Sequence, residues 1–313
     1  MKTNAKEKYS GVIVPMATPF TEQGEVDLSA ARRIIDHLCE GGVSGVFVLG
    51  TTGESVSIAQ SEKEKLVDTV ANHTNGRAVV YAGISDTCFA QSVQAGRSYL
   101  ESGADAVVAH LPWYYPLDGG EMCSYFSKLA EEVQGALMLY NIPKTTHMSI
   151  PVEVVEKLST HRNIVGLKDS EKNPERMEEI IGMLSGRDDF SFAVGCAPLS
   201  SQAARLGADA IVPSSGNLVP KMYKDLFDNA RQSNDSVAEN LQEQTNMVSA
   251  IYQKGRSLGQ SLAALKTMMS VLGLCSRMVL PPLEMLSDHQ RAEIEEQMKS
   301  EGVFQPISGA AEK

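Results

Sequence analysis

The sequence predicts an α/β protein, a (β/α)8 TIM barrel with a C-terminal helical extension. Three observations predict it. Eight short runs rich in Val, Ile and Leu alternate with longer amphipathic stretches, at the spacing of about 20–35 residues that βα units need. Most of these runs are continuously apolar, as strands buried on both faces of a parallel sheet are. A weak internal repeat links them: Gly42-Val43-Ser44-Gly45-Val46-Phe47-Val48, Gly103-Ala104-Asp105-Ala106-Val107-Val108 and Gly207-Ala208-Asp209-Ala210-Ile211-Val212. Each reads as a helix-ending glycine, a tight loop of small residues and a buried strand. A doubly wound open sheet is the competing arrangement. The GxGxxG fingerprint of that fold is missing after the first strand, where Val12–Phe20 carries two prolines instead.

The expected strands are Val12–Ala17, Gly45–Gly50, Ala78–Ala82, Ala106–His110, Ala136–Tyr140, Ile164–Lys168, Phe190–Val194 and Ala210–Pro213. Between the first two, Leu28, Ala31, Ile34, Ile35 and Leu38 recur at helical spacing. Asp27 or Ser29 is placed to cap that helix and Gly41-Gly42 to stop it. After residue 232 no strand pattern remains. Helices are expected over Val237–Gln253, Ser261–Leu272 and Ser287–Lys299, with a rigid turn at Leu280-Pro281-Pro282. The expected division is a catalytic barrel over 1–232 and a helical extension over 233–313, with a mobile tail from Phe304.

Composition narrows the function classes. The chain has 313 residues, 42% hydrophobic and 21% charged, enough to bury a large core. Its 28 Lys+Arg against 39 Asp+Glu give a net charge of −11. That balance argues against nucleic acid as a partner and against docking on anionic membranes. No apolar run approaches the roughly 20 residues of a membrane-spanning helix, and Met1–Ser10 lacks a signal-peptide core. Five widely spaced cysteines without a CxxC read as free thiols in a reducing, cytoplasmic setting.

A barrel places its chemistry at the C-terminal ends of its strands. Lys168 ends an apolar run there. A lysine in a partly desolvated mouth favours its neutral amine, which attacks carbonyls; a strand-end lysine paired with Asp169 or exposed to water is the alternative. Tyr140, ending the preceding strand, offers a phenol for proton transfer or, more simply, an aromatic with its hydroxyl in solvent. Gly50-Thr51-Thr52-Gly53-Glu54 combines backbone N–H groups and two hydroxyls suited to a small carboxylate, or forms an ordinary turn. His110 and His147 lack a third ligand, so no metal is expected. Without GxSxG, a serine hydrolase is poorly supported.

Together these segments resemble the dihydrodipicolinate synthase / N-acetylneuraminate lyase superfamily of class I, pyruvate-handling aldolases. The resemblance rests on Gly50-Thr51-Thr52-Gly53-Glu54, Pro112-Trp113-Tyr114-Tyr115, Tyr140-Asn141-Ile142-Pro143 and Gly166-Leu167-Lys168-Asp169-Ser170, with Gly207–Ile211 and Gly216-Asn217. It implies that Lys168 forms a Schiff base with pyruvate or another 2-oxo acid, so that no cofactor is needed. It implies that Tyr140 relays protons with Thr51, and that Thr52 holds the carboxylate within the turn bounded by Gly50 and Gly53. Tyr114 matches a tyrosine that reaches a neighbouring subunit's site, and the Val212 carbonyl lies where the family has an acceptor near the imine. A homo-oligomer, dimer or tetramer, follows from the same resemblance.

Two departures bear on the aldehyde partner. The arginine by which the synthases grip aspartate semialdehyde is replaced by Thr145, preceded by Lys144. The acidic pair of the sialic acid lyases is replaced by Cys196-Ala197 after Gly195. By elimination, a 2-keto-3-deoxy sugar acid is the expected substrate, with Ser214 a possible polyol contact. A synthase with an altered second-substrate site and an idle 2-oxo acid binder are the alternatives.

Overall fold

The computed structural model describes residues 4–302. Eight parallel strands close into a barrel in sequence order: β1 Gly11–Pro15, β2 Gly45–Val48, β3 Val79–Gly83, β4 Ala106–His110, β5 Leu137–Asn141, β6 Ile164–Asp169, β7 Ser191–Val194 and β8 Ala210–Ile211. All eight expected strands are present, and β8 pairs with β1 to seal the ring. The (β/α)8 expectation therefore holds, and the open sheet does not.

The continuous apolar runs have a direct cause. In each strand one set of residues packs under the helices and the other fills the barrel. Val46, Val48, Val107, Ala109, Leu137, Leu139, Leu167 and Ile211 belong to the outer core with the helices. Ile13, Phe47, Tyr81, Val108, Met138, Tyr140, Ala193 and Val212 form a separate cluster inside the ring. Neither face meets water, so alternation disappears from the sequence. The repeated glycines also do what their positions suggested. Gly42, Gly103 and Gly207 have φ of 77°, 99° and 105°, left-handed values that end a helix and turn the chain into the next strand.

Boundaries shift by a residue or two where local chemistry intervenes. β2 stops at Val48 because Leu49 turns left-handed, with φ 57°. β8 stops at Ile211, although the Val212 amide still donates to the Val194 carbonyl at 2.8 Å; Pro213 then has no amide to offer. Asp27 is the cap of the helix Leu28–Glu40, accepting from the Ala30 amide at 2.9 Å.

Three helices follow the barrel: Asp235–Gln253, Leu258–Val271 and Asp288–Glu301. They share the outer core through Val248, Ile251, Ala263, Met268 and Ile294. The tail expected to be mobile lies outside the described residues. Among the described residues no helix is long and apolar enough to cross a membrane, and all five cysteines are free.

Candidate active site

Lys168 stands at the C-terminal end of β6, in register with Tyr140 on β5 and Ala193 on β7. Residues paired across parallel strands share a face, and both neighbours belong to the interior cluster. Lys168 therefore points into the barrel mouth, where it is 5% exposed. Its Nζ lies 4.0 Å from the centre of the Tyr140 ring and 4.7 Å from that of Phe47. Burial pulls its pKa below the ordinary 10.5, and the Tyr140 contact only partly opposes this. The neutral, nucleophilic amine is thereby favoured.

The simpler pairing of Lys168 with Asp169 is excluded. Successive strand residues point to opposite faces. Asp169 is held on the outer face by Arg176 Nε at 2.8 Å, the Glu171 amide at 2.8 Å and Asn141 Nδ2 at 3.2 Å. Arg176 is fixed in turn by the Ile150 carbonyl at 2.7 Å. Among the described residues no carboxylate lies within ion-pair distance of Lys168.

The turn after β2 comes to the same mouth. It begins and ends on left-handed non-glycine residues, Leu49 with φ 57° and Glu54 with φ 55°. Such conformations persist only where surroundings enforce them. Gly83 makes room for the first: a Cβ at that position would sit 2.0 Å from the Leu49 carbonyl oxygen. Inside the turn, Gly53 N–H donates to the Gly50 carbonyl at 3.0 Å, and the Gly53 carbonyl accepts from Thr18 Oγ1 at 2.7 Å. Thr51 Oγ1 lies 3.5 Å from the Tyr140 hydroxyl, so a proton has a path between them. Thr51 and Thr52 are both half-buried.

Glu54 anchors the far end of the turn. Its Oε1 lies 2.5 Å from Lys266 Nζ, and both side chains are 1% exposed. Its Oε2 accepts from the Leu280 amide at 2.9 Å. Lys266, on the helix Leu258–Val271, also donates to the Met278 carbonyl at 2.8 Å and lies 3.8 Å from the Phe20 ring centre. The turn is thus tied to the C-terminal helices by a fully desolvated ion pair.

His110 completes the wall. It pairs with Tyr140 across β4 and β5. Its ring centre is 6.0 Å from that of Tyr140 and 5.7 Å from that of Trp113. Nδ1 lies 2.7 Å from the Leu111 carbonyl, which fixes the ring orientation. Burial, only partly opposed by the bond to the Leu111 carbonyl, holds its pKa below the ordinary 6.5, which favours the neutral ring at pH 7. A cavity of about 350 Å³ opens beside Thr51 and His110 and runs between the β2 turn, Trp113, Thr145 and the C-terminal helices.

The structure therefore brings Lys168, Tyr140, Thr51, Thr52, Gly50 and Gly53 to one end of the barrel. Val212 is buried inside the ring just beyond β8. Ser214 Oγ is 2.7 Å from the Tyr252 hydroxyl, bonded to the extension. Tyr114 does not join Lys168 within the chain: it is 75% exposed, edge-on to Tyr115 at 5.0 Å. Sequence reasoning missed Phe47, weighed His110 only as a metal ligand and passed over Lys266. A lone lysine within the apolar run Leu262–Met269 was the available signal for the last. Among the described residues there is no group of three or more His, Cys, Asp and Glu placed to hold a metal ion.

A parallel (β/α)8 barrel with a buried amine at its mouth is a frame that suits a lysine-dependent aldolase among other chemistries. Comparison with known proteins identifies the family: the Dihydrodipicolinate synthetase family profile matches residues 8–301, and the chain belongs to that family. Its members are pyruvate-dependent lyases. The 4-hydroxy-tetrahydrodipicolinate synthase of Staphylococcus haemolyticus is 30% identical over 279 residues, 88% of this chain and 92% of the relative. The dihydrodipicolinate synthase structure from Bacteroides thetaiotaomicron superposes with a TM-score of 0.89 at 30% identity, covering 93% of this chain and 98% of that one. The same fold is seen in YagE of E. coli K12, solved in complex with pyruvate, with a TM-score of 0.88 at 24% identity over 94% and 99% of the two chains.

Proposed function

We propose that the protein is a class I aldolase that joins pyruvate to an aldehyde, or reverses that reaction, through an imine on Lys168. The observation that carries this reading is the buried Lys168 amine, free of a carboxylate partner among the described residues and stacked on the Tyr140 ring that contacts Thr51. The amine adds to the C2 carbonyl of pyruvate and water leaves, giving a protonated imine. Loss of a C3 proton yields the enamine, for which the imine nitrogen is the electron sink. The enamine carbon attacks the aldehyde carbon, and the aldehyde oxygen takes a proton from the Tyr140–Thr51 relay. Water then hydrolyses the imine, releases the 4-hydroxy-2-oxo acid and returns the lysine. No metal or external cofactor enters.

In this reading Thr52 and the backbone between Gly50 and Gly53 hold the pyruvate carboxylate, which orients the imine before attack. The Val212 carbonyl accepts near the imine. Tyr114, exposed in one chain, completes the site of a neighbouring subunit in a homo-oligomer. Five free cysteines support a reducing, cytoplasmic setting.

For the aldehyde, the relatives' names support the synthase reaction with aspartate semialdehyde better than cleavage of a 2-keto-3-deoxy sugar acid. One observation weighs against carrying that substrate over unchanged. Thr145 stands where the resemblance expects an arginine, and its hydroxyl donates to the Ile142 carbonyl at 3.3 Å. An idle binder is less well supported, because amine, phenol and threonine stand together. The test is borohydride reduction with pyruvate, read by intact mass. One pyruvate-derived adduct per chain is expected, absent from Lys168→Ala; an unmodified wild-type protein would overturn the reading.

A further inference from the structure

We infer that the aldehyde half of the substrate is uncharged and carries an apolar body, a hydrocarbon chain or an aromatic ring. The inference rests on the imine reading above and specifies its second substrate. The cavity of about 350 Å³ shares Thr51 and His110 with the mouth that holds Lys168, which makes it the space beside the imine that a group bonded to pyruvate C3 would take in this inference. Its walls are mostly apolar, made by Val56, Trp113, Leu258, Leu262, Pro282 and Leu283, with Ser55 and Ser57 joining Thr51, Thr145, His110 and Glu54 as the polar lining.

Charge decides against the other aldehydes. No lysine or arginine lines the cavity. Its one carboxylate, Glu54, is already engaged by Lys266 and the Leu280 amide. Burial favours the neutral His110 ring at pH 7. A second carboxylate on the aldehyde would lose its hydration with no cation to replace it. A polyol would set most of its hydroxyls against hydrocarbon, with only Thr51, Ser55 and Ser57 at the edge of the cavity to meet them, while the Thr145 hydroxyl donates to a backbone carbonyl. An apolar body loses nothing polar there and is removed from water. The Trp113 ring, 38% exposed at the rim, is placed to cover it.

The test measures kcat/KM for pyruvate with benzaldehyde, aspartate semialdehyde and glyceraldehyde on the full chain, with borohydride trapping run alongside. Benzaldehyde is expected to exceed both others at least tenfold. Leu262→Asp is expected to raise KM for benzaldehyde at least tenfold in protein that still traps pyruvate. Thr145→Arg, which adds a guanidinium to the cavity, is expected to raise kcat/KM for aspartate semialdehyde at least tenfold. Equal or better use of either polar aldehyde by the wild type overturns the inference, as does an imine that never reacts with benzaldehyde. Failure to trap pyruvate at all overturns the imine reading itself.

Discussion

Replacing Lys266 by Met is the sharpest perturbation of the scaffold behind the site. The substitution removes the ammonium that faces Glu54 at 2.5 Å while keeping a flexible apolar side chain in its place. Both groups are 1% exposed, so solvent cannot take over the lost partner. Breaking a fully buried pair from one side costs about 3–5 kcal/mol, because the remaining charge is left uncompensated. That corresponds to a fall in Tm of about 5–8 °C for a chain of this size. The Met278 carbonyl also loses its 2.8 Å donor. Adding Glu54→Gln to Lys266→Met removes the stranded charge and is expected to recover about 2 kcal/mol. Function should follow geometry. With the anchor gone, the turn bearing Thr51 and Thr52 loosens, and kcat/KM falls about 10–100-fold. Thermal melts and denaturant titrations of the two single variants and the double variant measure the coupling. If Lys266→Met melts within a degree of wild type, or the double variant is the sum of the singles, the pair does not hold the turn.

Three further outcomes follow from the same geometry. Tyr140→Phe keeps the ring against Lys168 but removes the hydroxyl 3.5 Å from Thr51; imine formation should slow about 10²–10⁴-fold with little change in Tm, and an unchanged rate in rapid-quench trapping would exclude the relay. Arg176→Met strands Asp169, whose carboxyl is already pushed up by burial; a loss of about 3–5 kcal/mol in denaturant unfolding is expected, and a neutral result would show that Asn141 and the Glu171 amide suffice. The rate of imine formation should rise with pH as the amine loses its proton, with a midpoint below 10.5 because burial disfavours the ammonium; a midpoint at or above 10.5 in a trapping-rate profile refutes the desolvated-lysine account.

Much of this was legible in the chain. Strands buried on both faces leave continuous apolar runs, so all eight were found, and glycines at left-handed helix ends marked where the repeat restarts. Lys168, Tyr140 and the Thr51-Thr52 turn could be read because a barrel concentrates chemistry at its strand ends. Other parts could not be read. Phe47 looks like one more core aromatic until the ring closes and sets it beside Lys168. Asp169 looks like a partner for Lys168 because it is adjacent in sequence, yet strand alternation sends it to the opposite face, toward Arg176. The Glu54–Lys266 pair joins residues 212 positions apart, and no local pattern records such a contact. Tyr114 stands outside the single-chain site, 75% exposed, and nothing in its local sequence records that.

The most direct test of the central claim is a crystal structure of the protein soaked in pyruvate. The account predicts continuous density from Lys168 Nζ to C2 of the bound molecule, its carboxylate on the Thr51–Thr52 turn and the Tyr140 hydroxyl within hydrogen-bond reach of the imine. Pyruvate bound non-covalently, or with its carboxylate directed away from that turn, would contradict it.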